Sequence, residues 1–393
     1  MSTTEHLQDS TRDRSMLLAT AGMLTMATAL GIDRFVYTPI LPVMVEGMNL
    51  STAEAGLIAS ANFLGYLVGA LAAARSELPG SRRGWLIGTL AVSALSTGAM
   101  ALASSLPEFL VVRFAGGAAG AFAIVIAIAL VVERLAAVGR RSLVAIHFGG
   151  VGVGIAVSAA LVSGLLAAGS GWRMLWAAAS TVSVLFTAIV AGLMMKEPAT
   201  REAVASQDGP QTAPGFWALL VANGLAAFGY IITATFLVAM VRRLPELTAI
   251  EPWIWIIFGL ATAPSVALWT WVASRWGTAR ALSLAYLVEA AGVASSVLWP
   301  VQTGMMVATI CVGGTFISNT ALGMIAARAL CSGDPRRPVA LMTVAFGVGQ
   351  IAGPTFAGVL HDALGSFLVP SLIAAGGVVA GAALVGRLKA PGL

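Results

Sequence analysis

The chain has 393 residues, of which 58% are hydrophobic and 10% are charged, and its mean hydropathy is +0.91. A soluble domain carries about 25% charged residues, so this composition excludes an ordinary water-soluble protein. The net charge of +5 could suggest a nucleic-acid partner. However, the arginines form short clusters between apolar segments, as in the cytoplasmic loops of membrane proteins, and this pattern excludes nucleic acid.

Apolar segments long enough to cross a bilayer recur along the whole sequence. A spanning helix needs about 20 mostly apolar residues, and this length predicts twelve spans at 16–45, 52–74, 84–104, 107–133, 142–168, 172–195, 216–241, 252–274, 279–299, 302–328, 339–361 and 367–387. The first stretch is too long for a signal-peptide core, so we expect it to be retained. The predicted fold is therefore an all-α integral membrane protein.

The basic residues predict how the chain is oriented. Seventeen of the 22 Lys and Arg residues lie on one side of the predicted spans, and Arg173, Arg242 and Arg243 lie on the other. Because positive loops stay in the cytoplasm, we expect both termini to be cytoplasmic. A polar tail (1–15) and a linker rich in Pro, Gly and Ser (196–214) would also lie there.

The two halves of the chain, 16–195 and 215–388, resemble each other. Residues 148–152 (FGGVG) return as 346–350 (FGVGQ), and the Gly pair at 116–117 returns at 313–314. Two copies of six spans in the same orientation predict two pseudo-symmetric bundles, and transporters with a site between such halves have this organisation.

Asp33 and Arg34 lie in the middle of the first predicted span, before two prolines. A charge at the centre of a spanning helix costs about 2.5–3.5 kcal/mol on insertion scales, so it usually faces a cavity or a partner. Arg113 in the fourth span has no helical partner three or four residues away, and Asp33 is its best candidate counter-ion. The alternatives are that the first pair only sets helix packing and that Arg113 extends to the interface.

Other polar residues in apolar segments complete the candidate pathway. Glu289 in the ninth span could take up and release a proton, or could be a neutral acid bonded to a neighbouring helix. His147 could relay protons but could equally be a packing residue. Neutral groups that could line a pocket or join helices include Tyr37, Asn62, Tyr66, Tyr230, Thr233, Asn319 and Gln350. No metal-ligand cluster, cofactor motif or nucleophile setting occurs.

Several of these segments are similar to a known family, the major facilitator superfamily and, within it, its YbfB/YjiJ-type branch. The most specific matches are at 31–42 (GIDRFVYTPILP), 60–66 (SANFLGY), 147–150 (HFGG), 229–236 (GYIITATF), 263–265 (APS) and 349–354 (GQIAGP). The resemblance implies a transporter that works by alternating access, with Arg113 matching the fourth-helix arginine of many proton-coupled members. Two positions depart from the pattern: Asp33 stands where the branch has Gly, and the loop after Gly69 lacks the usual Asp.

The sequence therefore predicts a secondary transporter of a small organic solute in a bacterial inner membrane, driven by protons, without cofactors and monomeric. Asp33, Arg34 and Arg113 would line its cavity. Two arginines against one aspartate favour an anionic solute. The alternatives are a proton-driven exporter of amphipathic cations or drugs, with Asp33 as the proton carrier, and an intramembrane enzyme at His361 and Asp362, which lacks a suitable nucleophile.

Overall fold

The computed structural model describes residues 3–74, 79–194, 211–213, 215–332 and 336–388. This part of the chain is almost entirely helical, because in lipid every backbone polar group must be satisfied within the protein. The first half contains α1 (Thr3–Met26), α2 (Tyr37–Met48), α3 (Thr52–Ala73), α4 (Arg82–Ala99), α5 (Leu106–Ala127), α6 (Glu133–Ala137), α7 (Val144–Ala167) and α8 (Trp172–Leu193). Short π-helices at Ala27–Ile32 and Ile128–Val132 continue α1 and α5.

The second half contains α9 (Phe216–Arg242), α10 (Glu251–Thr262), α11 (Ser265–Trp276), α12 (Thr278–Leu298), α13 (Gln302–Gly313), α14 (Phe316–Ala329), α15 (Arg336–Leu364) and α16 (Leu368–Gly386). Two strands of two residues each, β1 (Gln211–Thr212) and β2 (Cys331–Ser332), pair antiparallel. They are a small exception to the predicted all-α fold. Apart from 211–213, the predicted linker (196–214) lies outside the described residues. Residues 75–78, in the loop after Gly69 that lacks the usual Asp, also lie outside them.

The predicted spans agree with the helices of the structure. Ten described helices are long and apolar enough to cross a membrane, and the pair α10–α11, bent by 43°, adds an eleventh. The remaining predicted span, 84–104, corresponds to α4, whose first residues are Arg82 and Arg83. The count is thus consistent with twelve. Helix α1 begins at Thr3, before the predicted first span, in a polar stretch that contains neither Pro nor Gly.

The helices form two bundles, α1–α8 and α9–α16, in which glycines allow backbones to touch. A Cβ atom at Gly65 or Gly69 of α3 would overlap main-chain oxygens of α5, and one at Gly117 of α5 would overlap the Asn62 carbonyl oxygen. Small residues at helix contacts are the main way in which membrane helices pack closely.

The bundles meet mainly through three helix pairs: α2 with α9, α3 with α15, and α7 with α10. A Cβ at Gly152 of α7 would overlap main-chain atoms of Gly259 and Ala263. The glycine run 149–154 is thus a packing surface.

Polar contacts between the bundles concentrate at one end of the molecule, which we call the closed end and define by Glu46, Arg242 and Asp362. Arg242 of α9 lies 3.4 Å from the Glu46 carboxylate of α2. The Asp362 carboxylate of α15 accepts hydrogen bonds from the amides of Thr52 and Ala53, at 3.1 and 2.8 Å, at the start of α3. Further in, the Ser60 hydroxyl donates to the Ile351 carbonyl at 2.7 Å.

We expect Gly117→Ala to destabilise the protein by about 1–3 kcal/mol, the usual cost of overpacking, because the new methyl group meets the Asn62 carbonyl. Gly164→Ala is the matched control, since a Cβ at Gly164 of α7 has no neighbour within 4 Å. Thermal melting of the purified variants in detergent makes the comparison. Equal melting temperatures would contradict the close contact between α3 and α5.

Candidate functional site

The first span is broken where its charged residues lie. After the π-helix, residues 33–36 form a turn before α2 begins at Tyr37. Pro39 and Pro42 follow, and each lacks the N–H group that would continue a regular helix. The break leaves main-chain carbonyl groups without helical donors inside the protein.

Arg113 of α5 supplies those donors. Its Nη1 donates to the Asp33 carbonyl oxygen at 3.0 Å, and its Nη2 donates to that of Arg34 at 3.1 Å. The guanidinium carbon also lies 5.2 Å from the ring centroid of Tyr37 and 5.8 Å from that of Trp176. Arg113 is 4% exposed and holds the break in place.

The Asp33 carboxylate is held by hydroxyl groups. It accepts hydrogen bonds from Ser93 at 2.7 Å, Thr97 at 3.0 Å and Ser183 at 2.6 Å. Among the described residues, no cation forms a salt bridge with it. Asp33 and Arg113 are electrostatic neighbours, as predicted for a counter-ion, but they form no direct ion pair among the described residues. The arginine donates to main-chain carbonyl groups, and hydroxyls of α4 and α8 bind the carboxylate.

Arg34 is the most exceptional residue of the site. It is 6% exposed, and its Nε and Nη2 atoms are buried without a hydrogen-bond partner. Its guanidinium carbon lies 4.6 Å from the ring centroid of Phe63, 4.5 Å from that of Tyr66 and 5.4 Å from that of Phe35. Within the part of the chain that the structure describes, no carboxylate forms a salt bridge with it.

Arg34 faces a small cavity inside the first bundle. The cavity measures about 10 Å³, roughly the room that one water molecule needs. Its lining contains four of the predicted site residues and a glycine-rich face of α5: Ala29, Asp33, Arg34, Asn62, Tyr66, Gly116, Gly117, Gly120 and Ala121. Asn62 also donates to the Arg113 carbonyl oxygen at 3.0 Å.

The second bundle brings Tyr230 to the same place. Tyr230 of α9 is an electrostatic neighbour of Arg34, and its hydroxyl is hydrogen-bonded to the Gln350 amide of α15. Residues 34 and 230 are 196 positions apart, whereas the repeated glycine segments are 197 and 198 positions apart, so the two residues occupy neighbouring positions in the first spans of the two halves. The candidate site thus receives one polar residue from the first span of each half.

Aromatic rings surround this meeting point. Phe316 stacks on Tyr230 with centroids 5.2 Å apart and contacts Phe35 edge to face at 5.5 Å. Trp255 lies 6.3 Å from Phe35, and its indole nitrogen is buried without a partner. Around Tyr230, the described contacts between the bundles are therefore mostly aromatic, and Arg34, Tyr230 and Gln350 supply polar groups there.

The other predicted residues do not line the cavity. Tyr37 donates to the Ala55 carbonyl oxygen at 2.8 Å. His147 packs on Phe148 and against Gly22 of α1, and Thr233 is buried with an unpaired hydroxyl. Glu289 and Asn319 form a separate pair in the second bundle.

Sequence reasoning predicted Tyr66 but missed the three hydroxyls around Asp33 and the rings of Phe35 and Phe63 around Arg34. Ser93 and Thr97 share a face of α4 because they are four residues apart, but Ser and Thr in spans usually bond to their own helix. No sequence signal therefore distinguishes the hydroxyls that bind Asp33 from those of the other Ser and Thr residues in the spans.

The fold is that of a multi-pass membrane protein whose described residues form 10 to 11 candidate spans, with Asp33, Arg34 and Arg113 buried inside it. Residues 26–386 match the family model described as uncharacterised MFS-type transporter YbfB, and the chain belongs to this family of major facilitator transporters. Among curated proteins, none matches this sequence.

Solved structures share the fold at low sequence identity. A point mutant of the nucleoside transporter NupG has a TM-score of 0.73 at 15% identity, covering 96% of this chain and all of that one. A bacterial homolog of the human lysosomal transporter Spinster, inward-facing and unoccupied, has a TM-score of 0.64 at 16% identity, covering 95% and 94%. Its inward-facing, occupied form has a TM-score of 0.65 at 16% identity, covering 94% and 93%.

We expect Arg113→Leu to destabilise the first bundle, because it leaves the carbonyl groups of Asp33 and Arg34 buried without donors. Each unpaired group costs about 1–3 kcal/mol. Arg173→Leu is the control, since exposed Arg173 also donates to a carbonyl, that of Ala101 at 2.6 Å, which can bond to water instead. Thermal melting and protease resistance in detergent distinguish the two, and equal stability of both variants would refute this role of Arg113.

Proposed function

We propose that this protein is a proton-coupled secondary transporter that carries a small organic anion across the membrane by alternating access. The observation that carries the proposal is the Arg34 guanidinium, which is buried beside the cavity of the first bundle with two unpaired nitrogens and with no carboxylate partner among the described residues. A buried charge is costly unless it is paired. A carboxylate or similar anion would supply both the missing charge and the missing acceptors.

The charge balance of the site supports an anion. Arg34 and Arg113 lie near one carboxylate, that of Asp33, which three hydroxyls already occupy. The rings of Phe63 and Tyr66 fix the plane of the Arg34 guanidinium, which suits bidentate binding of a planar anion. The proposed site consists of Arg34, Asn62, Tyr66, Tyr230 and Gln350, with Asp33 and Arg113 as positioning residues.

Alternating access is supported by the closed end and by the small cavity. An organic solute does not fit into about 10 Å³, so the bundles must move apart to admit one. The polar contacts at Glu46, Ser60 and Asp362 would have to break to open this end. In the orientation indicated by the arginines, this end faces the outside of the inner membrane and both termini lie in the cytoplasm.

The alternative activities have less support. A cation exporter would need Asp33 to face its substrate, but that carboxylate is turned to Ser93, Thr97 and Ser183. For an enzyme, the candidate pair was His361 and Asp362. Asp362 is occupied with the start of α3, and the His361 ring contacts the Arg243 guanidinium, so both have structural partners at the closed end.

We expect Arg34→Gln to weaken anion binding at least tenfold, because hydrogen bonds to a charged group contribute about 1.5–3 kcal/mol. Purified protein is tested for thermal stabilisation by benzoate, phenylacetate, pyruvate and citrate, and by tetraphenylphosphonium and ethidium as cations. Uptake of the stabilising compound into proteoliposomes follows. Arg173→Gln is the matched control, an exposed arginine that also lies on a ring, that of Trp172 at 4.5 Å. Stabilisation by cations alone, unchanged in Arg34→Gln, would overturn the proposal in favour of an exporter.

We expect Asp362→Ala to shift the protein towards a state open at the closed end. A carboxylate at a helix N-terminus contributes about 0.3–2 kcal/mol, so thiol labelling inside this end should accelerate about 2- to 30-fold. The readout is labelling of Ser60→Cys by a membrane-impermeant maleimide, with Cys311 and Cys331 replaced by Ser. Glu54→Ala is the control, since Glu54 caps the same helix through Ser51 without joining the bundles. Equal labelling in both variants would contradict gating by Asp362.

A further inference from the structure

We propose that Glu289 and Asn319 form a proton-binding site in the second bundle, separate from the anion site at Arg34. Glu289 of α12 is 0% exposed and Asn319 of α14 is 3% exposed. The Asn319 amide nitrogen Nδ2 donates to Glu289 Oε2 at 2.7 Å. The remaining oxygen of each side chain, Glu289 Oε1 and Asn319 Oδ1, is buried and has no hydrogen-bond partner.

The number of donors and acceptors in this pair requires one more proton. An ionised carboxylate offers only acceptors, and an amide offers one oxygen acceptor beside its NH₂ donors. Turning the amide over exchanges the two positions but still leaves an acceptor facing an acceptor. A proton on the Glu289 carboxyl becomes the missing donor. It completes a cyclic acid–amide pair in which each group donates once and accepts once.

The surroundings of Glu289 favour the neutral acid. The helices α9, α11, α13, α14 and α16 pack against α12. The titratable groups facing Glu289 are the hydroxyls of Tyr286 on its own helix and Tyr230 on α9, and Cys311 of α13 packs one turn away against Gly292. Among the described residues, no cation forms a salt bridge with Glu289. The arginines of these helices, such as Arg275, Arg328 and Arg387, lie near helix ends.

The buried carboxyl groups of Asp33 and Glu289 therefore differ in which protonation state their surroundings favour. Asp33 accepts three hydroxyl hydrogen bonds, which stabilise its ionised form. Glu289 accepts one amide hydrogen bond, and its other oxygen is buried without any donor, which destabilises its ionised form. The exchangeable proton is thus assigned to Glu289 and not to Asp33.

The position of Asn319 links this site to the bundle interface. Phe316, one turn before Asn319 on α14, stacks on Tyr230 and contacts Phe35 of the first bundle. Loss of the proton would set Glu289 Oε1 against Asn319 Oδ1 and push α14 away from α12. Tyr230 is an electrostatic neighbour of both Arg34 and Glu289. This coupling step rests on the proposed transport function, whereas the proton site itself does not.

The direct test is pH-difference infrared spectroscopy of the purified protein in nanodiscs, without any solute. We expect the carbonyl band of a protonated carboxylic acid, absent in Glu289→Gln and retained in Asp33→Asn. Asn319→Leu should retain the band and shift it to higher frequency, because the acid loses its hydrogen-bonded partner. Gln at 289 can still pair with the Asn319 amide, so this variant should fold, and its melting temperature checks that. The band persisting in Glu289→Gln, or vanishing in Asp33→Asn, would overturn the proposal.

A second measurement separates this proposal from the proposed function. With a transported anion in hand, Glu289→Gln should exchange it across proteoliposomes at close to the wild-type rate but lose accumulation driven by a pH gradient. Tyr286→Phe, which removes only a neighbouring hydroxyl, should retain both activities. Wild-type accumulation by Glu289→Gln would refute the role of this proton in coupling and leave anion transport intact. Failure of every anion in the panel would refute the transport proposal and leave the infrared result standing.

Discussion

The two hydrogen bonds that Arg113 donates to the carbonyl groups of Asp33 and Arg34 are the interaction on which the site depends. A broken helix inside a membrane is stable only where other groups satisfy the freed backbone. By bonding to consecutive carbonyls, Arg113 fixes the turn and the directions in which the neighbouring side chains leave it. The Asp33 side chain accepts hydrogen bonds from hydroxyls of the first bundle. The Arg34 side chain extends towards Tyr230 of the second bundle.

This arrangement explains why Asp33, Arg34 and Arg113, three charged residues buried close together, have different hydrogen-bond partners. Arg113 donates through both Nη atoms to backbone carbonyls and leaves only its Nε unpaired. The Asp33 carboxylate is bound by hydroxyls, and Arg34 has two unpaired nitrogens among aromatic rings. The first two therefore stabilise the fold of the first bundle. The third, Arg34, has two nitrogens that no described part of the chain pairs, and it lies beside helices that would separate in the proposed transport cycle.

The sequence was sufficient to predict the helical spans, because the bilayer thickness sets their length and the polarity of the bilayer sets where charged residues can lie. Both patterns can be recognised directly in the sequence. It also singled out Asp33, Arg34 and Arg113 as charged residues within spans, since such charges are rare in membrane helices, and all three are buried. It did not predict that Arg113 would donate to the carbonyl groups of Asp33 and Arg34. Whether Arg113 meets a carboxylate or a carbonyl depends on a turn of a few residues, and the hydroxyl of Ser183 comes from a helix 150 residues away along the chain.

The placement of Arg34 in the first span of one half and of Tyr230 in the first span of the other has a consequence for how a solute would lie. The first repeat contributes a cation at this position, and the second contributes a phenol between Phe316 and Phe346. A solute bound between them would therefore point its charged end at one bundle and its apolar end at the other. In the proposed alternating-access cycle each bundle would move as a unit, so that polarity would be the same whichever side the solute entered from, and a molecule charged at both ends would be selected against.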